Sequence, residues 1–290
     1  MRDLNHDLKQ LCQRNRDGSY ATRANRERIL TLVANQLHAV GFRHMRADSL
    51  KPKHVERLVE RWKTENLSAG TIKNRLAEIR WWAEKVDRAN VVARSNDAYG
   101  IERRVYVTNV SKAKVLDVER LEKMTDPYSA VSVKLTRAFG FRRETSIKIQ
   151  PAWADRGDHL QLKASWTKGG KEYALPIHTA YQREVLEEAK RLAATTREGS
   201  LIQKATYKEQ LERFVYQCKK AGIDHVHAYR HLDAQERYRE LTGWEAPARG
   251  GPTSKQLTPE QKVLDREARL TISRELGHER EQVTAMYLGR

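Results

Sequence analysis

The chain has 290 residues, and its 55 Lys and Arg against 38 Asp and Glu give a formal net charge of +17. Such an excess favours a polyanionic partner, with nucleic acid first among the candidates. No stretch reaches the roughly 18 consecutive apolar residues of a membrane span, and the polar first twenty residues lack the apolar core of a secretory signal. The two cysteines, Cys12 and Cys218, are too few for a disulfide framework or a structural zinc site, so a reducing cytoplasm fits best.

The first hundred residues predict a helical domain. Apolar residues recur at helical spacing over about 22–40, 52–65 and 68–87. The third of these helices has one apolar face, and its other face carries Lys73, Arg75 and Arg80. Most basic helix faces are only solvated, but in a chain of this charge we expect these three residues to contact DNA phosphates. Residues 91–105 are polar and predict a linker.

Residues 107–290 predict a second domain, in which helices surround one β-hairpin. A helix over about 117–139 ends at Gly140, and the alternation of Ile147 and Ile149 indicates a strand shortly after it. Apolar residues alternate on both sides of a glycine turn within 159–177, which predicts the hairpin. The predicted fold class is therefore mainly α with a small antiparallel β-sheet.

Several short motifs in this second domain place cations where they can meet phosphate. Arg142 and Arg143 follow the glycine turn at 140, Lys168 and Lys171 lie in T-K-G-G-K, and His227 and Arg230 open a helix. Arginine makes bidentate contacts with phosphate, and a helix N-terminus favours an anion. Taken singly, each motif also fits ordinary exposed basic residues. The three histidines in 225–231 could suggest a metal, but the ligand-like spacing to acidic residues or cysteine is missing, so no metal is predicted.

The segment 276–290 begins with a Leu-Gly-His corner at His278, and Tyr287 follows nine positions later. We expect a short helix here that carries Val283, Met286 and Tyr287. Read alone, Tyr287 either packs this helix against the core or is a nucleophile aimed outside the core. The segment by itself does not separate the two interpretations.

The ordered set G-F-R, T-K-G-G-K, H-A-Y-R-H, L-G-H and the final tyrosine resembles the tyrosine recombinases, the integrases of phages and mobile elements. The stretch 67–80, L-S-A-G-T-I-K-N-R-L-A-E-I-R, is similar to the family's core-binding domain. The resemblance implies a helical DNA-binding (core-binding) domain over 1–100, including linker residues, and a tyrosine-recombinase catalytic domain over 107–290.

The resemblance also implies a role for each site residue. Tyr287 would attack a DNA phosphodiester and form a 3′-phosphotyrosyl link, and Lys168 would protonate the leaving 5′-oxygen. The remaining roles are charge stabilisation by Arg142 and Arg230 and hydrogen bonding to the phosphate by His227 and His278. No metal and no ATP would be needed. Further DNA contacts are predicted at Lys73, Arg75, Arg80, Arg143 and Lys171.

The chain departs from the family pattern in three places. Where relatives often carry an acidic residue, three positions after Arg142, this chain has Thr145, with Glu144 just before it. Residues 243–262 look like an insertion. Only three residues follow Tyr287, where most relatives have a helix that docks on a neighbouring subunit. We therefore expect the insertion to link subunits.

Two other functions fit the same residues. A type IB topoisomerase would nick and reseal DNA with the same chemistry but without strand exchange, and a DNA-binding regulator would use the fold without catalysis. For the recombinase, the predicted partners are double-stranded DNA recombination sites, further copies of the chain in a homo-tetramer on DNA, and accessory DNA-bending or directionality proteins. No membrane partner is predicted, and the predicted location is the cytoplasm, associated with the nucleoid.

Overall fold

The computed structural model describes residues 3–290 and forms two compact units, with the boundary between Val105 and Tyr106. Within the described residues, no helix is long and apolar enough to cross a membrane. The fold is mainly α with one small antiparallel sheet, so the predicted fold class is confirmed.

The first unit is helical throughout its regular structure. Its longer helices are α1 (Asp3–Arg14), α2 (Tyr20–Ala39), α3 (Pro52–Thr64) and α4 (Ala69–Lys85). The last three confirm the helices predicted from apolar spacing, and Ser68 caps α4 by accepting a hydrogen bond from the Thr71 amide. Trp62 and Trp82 lie fully buried at the centre of the apolar core.

The second unit packs helices around a two-stranded sheet. Its elements are α5 (Val118–Glu122), α6 (Pro127–Phe139), α7 (Arg143–Lys148), α8 (Pro151–Ala154), β1 (His159–Leu162), β2 (Tyr173–Pro176), α9 (Ala180–Ala193), α10 (Tyr207–Lys220), α11 (His227–Thr242), α12 (Pro259–Glu275) and α13 (Glu281–Leu288). The register of the strands pairs His159 with Pro176 and Leu162 with Tyr173.

The expectation of a strand at Ile147 and Ile149 was wrong, because residues 143–148 form α7. Both isoleucines are buried, but each packs into a different apolar cluster: Ile147 with Phe214 and Ile149 with Phe139. Two alternating apolar positions next to a helix end therefore imitated the period of a strand.

The hairpin is shorter than predicted. Strand pairing ends at Leu162 and Tyr173, and Ala164–Trp166 form a 3₁₀ turn instead of continuing the first strand. Lys168 and Lys171 thus lie in a long connection between the strands and not in a tight glycine turn between two long strands.

Arg80 of α4, for which DNA contact stays a prediction, also makes contacts within its own unit. Its Nε and Nη2 donate hydrogen bonds to the Ala93 carbonyl (3.0 Å) and to Asn96 Oδ1 (2.9 Å), so its charge holds the segment that follows α4. Arg75 is half-buried with its guanidinium 5.2 Å from the centroid of the Trp62 ring, and burial lowers the pKa of Arg75. Lys73 is half-buried as well, and DNA contact by Lys73 and Arg75 stays a prediction.

Residues 243–262 do not form a free loop. Gly243 ends α11 with φ of +85°, Trp244 Nε1 donates to the Tyr238 hydroxyl (3.1 Å), and Ala246 is fully buried. The last four residues of this segment belong to α12. Much of the segment is therefore part of the core of its own unit.

The short helix predicted near Tyr287 is α13, but Met286 does not anchor it. The Met286 side chain is 49% exposed, whereas Ala285 and Leu288 are buried. The residues of α13 that join the apolar cluster of this unit are Tyr287 and Leu288.

Candidate active site

Arg230 lies at the centre of a cluster of polar side chains in the second unit. The side chain is 1% exposed, and its three nitrogens are all engaged. Nε donates to the Tyr287 hydroxyl (3.1 Å), Nη2 donates to the Leu276 carbonyl (2.6 Å), and Nη1 donates to the Gly140 carbonyl. The guanidinium is thus oriented in advance by two backbone carbonyls from distant parts of the chain.

Arg142 provides a second guanidinium beside the first. It is the residue before α7, and Gly140, with φ of +58°, turns the chain out of α6 toward it. Burial lowers the pKa of Arg142, and the positive charge of Arg230 lowers it further. The charge of Arg230 thus disfavours the cationic form of Arg142, and an anion between the two guanidinium groups would relieve that repulsion.

His278 contacts Arg142 from the turn between α12 and α13. Arg142 Nη2 lies 2.7 Å from His278 Nε2. Burial, with the charges of Arg142, Arg230 and Lys168, lowers the pKa of His278 to about 4, so the ring is neutral at pH 7. A guanidinium only donates, so Nε2 accepts and the ring proton is on Nδ1.

The turn that presents His278 needs glycine at position 277. Gly277 has φ of +68°, and a Cβ added there would come within 2.6 Å of the Tyr173 ring. The aromatic ring from β2 therefore packs directly against the backbone next to His278. This explains the Leu-Gly-His sequence by a close approach and a left-handed backbone together.

Tyr287 is held inside the cluster by its ring, its hydroxyl and its backbone. The ring centroid lies 4.8 Å from that of His231 and 6.1 Å from that of His227, and the side chain is 7% exposed. Gln235 Nε2 donates to the Tyr287 carbonyl (2.7 Å). The ring contacts, the backbone hydrogen bond and the hydrogen bond from Arg230 together fix the position of the Tyr287 hydroxyl.

The residues that follow Tyr287 are bound within the same unit. Arg269 Nη1 donates to the Gly289 carbonyl (2.9 Å). Asn109 exchanges two hydrogen bonds with the backbone of Arg290, at 2.8 and 2.9 Å. Gly289 also lies close to the short 3₁₀ turn Pro247–Arg249. The segment 243–262 therefore contacts the end of α13 within the same chain.

The lysines of T-K-G-G-K lie at the edge of the cluster. Lys168 is exposed, yet its charge contributes to lowering the pKa of both His227 and His278, which places it near them. Lys171 Nζ forms an ion pair with Glu279 (2.6 Å), and this pair joins the connection between the strands to the turn after His278. Arg143 is exposed at the start of α7.

Comparisons with known proteins identify the family of the chain. Residues 1–92 match the family described as phage integrase, N-terminal, and residues 101–236 match the family described as integrase. The chain belongs to the tyrosine recombinases of the phage integrase type. Among curated proteins no match was found.

Solved structures share the fold of this integrase at low sequence identity. The Tn1549 transposon integrase in complex with circular intermediate DNA is 14% identical with a TM-score of 0.55, over 100% of this chain and 96% of the other. XerH recombinase bound to difH is 15% identical with a TM-score of 0.55 (98% and 80%). A lambda integrase tetramer on a Holliday junction is 13% identical with a TM-score of 0.56 (96% and 76%).

The integrase departs from the family pattern next to Arg142 without a substitute in the structure. Glu144 forms an ion pair with Lys148, four residues on, and makes no recorded contact with Arg142 among residues 3–290. The Thr145 hydroxyl donates to the Trp166 carbonyl (2.8 Å) in the core. Arg142 is oriented instead through His278.

His231 was missed in the sequence analysis, although its ring is the nearest of the two histidine rings to Tyr287. Its spacing of four residues from His227 puts the two on one face of α11, so the signal was present in the H-A-Y-R-H motif. Tyr173 and Gln235 were also missed, because their roles depend on contacts between elements distant in sequence.

No group of three or more His, Cys, Asp or Glu in the described part of the chain has the arrangement of a metal site.

Proposed function

We propose that this integrase cleaves and rejoins DNA strands at specific sites through a 3′-phosphotyrosyl intermediate on Tyr287, in the integration or excision of a mobile element. The observation that carries the proposal is the hydrogen bond between the Tyr287 hydroxyl and Arg230, in a site that also contains Arg142 and His278. A nucleophile and two fixed cations within one cluster match the needs of attack on a phosphodiester.

The reaction begins when the scissile phosphate enters between Arg142 and Arg230. Its non-bridging oxygens accept hydrogen bonds from both guanidinium groups. One of these comes from Arg230 Nε–H, which otherwise donates to the Tyr287 hydroxyl. The freed tyrosine oxygen attacks phosphorus and passes its proton to the neutral imidazole of His227, whose ring lies beside it. The bond to the 5′-oxygen breaks, and Lys168 protonates that oxygen. The reverse sequence, with a 5′-hydroxyl from a partner strand, rejoins the DNA.

The histidines assist without carrying charge in the free protein. Burial comes first among the causes that lower the pKa of His227, and it lowers the pKa of His278 to about 4, so both rings are neutral at pH 7. Neutral imidazoles can donate one hydrogen bond to the phosphate and accept another from a guanidinium. Two arginines and a lysine supply the positive charge at the phosphate, and the phosphotyrosine conserves the bond energy, so the reaction as proposed uses neither metal nor ATP.

The partners proposed for this chain are double-stranded recombination sites and three further copies of itself. Support comes from the similar solved structures described above, which are DNA complexes and include a tetramer on a Holliday junction. Accessory bending or directionality proteins are proposed as further partners, and five residues are proposed as additional DNA contacts: Lys73, Arg75, Arg80, Arg143 and Lys171. A DNA substrate of this kind also fits a cytoplasmic, nucleoid-associated location.

A suicide substrate tests the proposal. The DNA that the protein protects in the region flanking its own gene is mapped, and a duplex with a nick beside each candidate cleavage position is prepared. Wild type should form a covalent protein–DNA adduct, and Tyr287→Phe should form none while binding the duplex with similar affinity. Tight binding without an adduct would indicate a DNA-binding regulator. Relaxation of a plasmid that lacks the site would indicate a topoisomerase.

A further inference from the structure

A cavity of about 400 Å³ lies beside the nucleophile, and His227 is the one lining residue that also takes part in the reaction described above. Its lining residues are Lys112, Lys114, His225, His227, Ala228 and His231. His231 and His227 also contact the Tyr287 ring, at centroid distances of 4.8 and 6.1 Å. The cavity therefore shares a wall of two imidazoles with the tyrosine.

The cavity carries uncompensated positive charge. Lys114 Nζ is paired with Asp224 (2.8 Å), whose second oxygen lies 3.8 Å from His225 Nε2. Lys112, by contrast, forms no recorded ion pair within residues 3–290. The pKa of His231, in the wall of the cavity, is lowered to about 4 by burial and by the electrostatic effect of His227, Lys112 and Arg230. The positive charge of Lys112 therefore acts on this wall.

The cavity also lies at the start of α11, where the backbone favours an anion. His227 is the first residue of this 16-residue helix, and His227, Ala228 and His231 all line the cavity. The partial positive charge of a helix N-terminus acts in the same direction as Lys112. The other walls are imidazole edges, the Ala228 methyl group and lysine stems, which suit an uncharged ring better than a second phosphate.

We propose that this cavity binds one deoxyribose–phosphate unit of the DNA strand, namely the unit that flanks the scissile phosphate attacked by Tyr287. Lys112 contacts its phosphate, the sugar lies against Ala228 and the imidazoles, and His231 separates the two subsites. The inference rests on the proposed function, because it identifies a second DNA contact of the same site. Filling the cavity presses His231 toward the Tyr287 ring, so binding of one unit helps to fix the nucleophile for the next.

A scan of neutral phosphates tests this contact directly. On the suicide substrate, each of the phosphates flanking the scissile one is replaced in turn by a methylphosphonate, and the rate of adduct formation is measured for wild type and Lys112→Ala. Lys112 is exposed, so its variant should fold normally. Lys123→Ala, which removes an exposed lysine from the end of α5 outside the cavity, is the matched control.

At one flanking position, the methylphosphonate should slow wild type and Lys123→Ala by about tenfold, as expected for loss of a charge-assisted hydrogen bond. The same replacement should have almost no effect on Lys112→Ala, which is already slow on unmodified DNA. If the rate losses from the methylphosphonate and from Lys112→Ala multiply at every position, Lys112 contacts no flanking phosphate and the proposal is rejected. Adduct formation by wild type would still support the proposed function in that case.

A second measurement does not depend on cleavage. Inorganic phosphate is titrated into the protein while the ring signals of the histidines are followed by NMR. His225 and His231 should shift in wild type and in Lys123→Ala but not in Lys112→Ala, whereas His278 should shift in all three because it lies beside Arg142 and Arg230. A response limited to His278 would overturn the cavity as an anion subsite, even if no DNA site had been found.

Discussion

At the scale of single residues, the Arg230 guanidinium both connects distant parts of the backbone and contacts the proposed nucleophile. Its guanidinium joins the end of α6, through the Gly140 carbonyl, to the end of α12, through the Leu276 carbonyl, and it also contacts Tyr287. Among the described residues, the Arg142 side chain forms a hydrogen bond with His278 alone, and the positive charge of Arg230 repels its guanidinium. Two arginines with the same proposed chemistry thus differ in structural role.

Replacing each arginine by alanine should reveal this difference. Arg230→Ala leaves two buried carbonyls without donors, so we expect the free energy of unfolding to fall by about 2–4 kcal/mol. Arg142→Ala removes a repulsion along with one hydrogen bond, and its loss should stay below about 1 kcal/mol. Both should reduce adduct formation by at least about a hundredfold. Urea unfolding of the two variants measures the stability, and equal losses would contradict the linking role of Arg230.

Asp233 gives the site a pH dependence that can be isolated. Burial raises the pKa of Asp233 to about 7, against the attraction of Arg230 and Arg137 and with the repulsion of Glu275 and Glu236. In an unfolded chain an aspartate has a pKa of about 3.9, so between about pH 4 and 7 the folded state binds more protons than the unfolded state. The contribution of Asp233 to stability is therefore present at low pH and is lost as the pH rises to 7.

Asp233→Asn should accordingly stabilise the protein at high pH. The amide has nearly the same shape and no charge to desolvate. A pKa rise to about 7 corresponds to up to about 4 kcal/mol at about 1.4 kcal/mol per unit, so we expect Tm to exceed that of wild type by roughly 8–16 °C at pH 8 and by almost nothing at pH 4. Thermal unfolding of both proteins from pH 4 to 8 measures this. The histidines with lowered pKa values act in the opposite direction in both proteins and cancel in the difference. A difference independent of pH would show that Asp233 does not titrate in this range.

The six proposed catalytic residues could be found from the sequence, because each belongs to a short motif whose residue types suit phosphate chemistry. His231 and Asp233 lie in or next to the same H-A-Y-R-H motif, but their surroundings are supplied by Tyr287, Gly140 and Arg137, at distances along the chain that no local spacing encodes. Local motifs therefore point to the groups proposed to act on phosphate, whereas the groups that surround them can be found only from the folded structure.

At the scale of elements, the turn between α12 and α13 determines the position of His278. Gly277 combines a left-handed backbone with contact to the Tyr173 ring of β2. Gly199 has nearly the same φ, +64° against +68°, and a Cβ added there would meet no atom within 4 Å. The two glycines therefore differ in steric contact but not in backbone strain.

Gly277→Ala should lower both stability and cleavage, whereas Gly199→Ala should lower stability alone. For both, the left-handed backbone costs about 1 kcal/mol with alanine. At position 277 the displaced Tyr173 ring adds to this, and His278 moves away from Arg142, so we expect adduct formation to fall by at least about tenfold. Thermal unfolding and adduct rates of the two variants provide the comparison. Equal behaviour of the pair would mean that the contact with Tyr173 does not position His278.

The helices were predicted well because their apolar faces repeat over many residues, as in α2, α3 and α4. The errors concern short segments. Ile147 and Ile149 alternate because they enter two apolar clusters, and the 3₁₀ turn Ala164–Trp166 interrupts an alternation that the sequence continues. Over four or five residues the helical and extended periods are not distinguishable, and tertiary packing decides between them.

At the scale of the whole molecule, the net charge of +17 should govern DNA binding more than DNA cleavage. Exposed cations such as Arg143 and Lys171 are screened by salt, whereas Arg230 is buried and is screened much less. With roughly six to ten phosphate contacts, affinity should fall by about 10³-fold or more between about 50 and 200 mM salt.

The adduct rate of DNA that is already bound should change by less than about threefold over the same range, because the buried site lies largely outside the reach of screening. Fluorescence anisotropy measures the affinity, and single-turnover adduct formation at saturating protein measures the rate. A parallel fall of both quantities would indicate that exposed cations, and not the buried arginines, carry the charge stabilisation.

The triple contact of Arg230 has a consequence for the time at which the protein becomes able to cut DNA. Gly140, Arg230, Leu276 and Tyr287 leave the ribosome in that order, and the arginine reaches its final orientation only when the last two have arrived. A partly synthesised chain that lacks residues 276–290 therefore lacks the proposed nucleophile, and it also lacks two of the three groups that orient the Arg230 guanidinium.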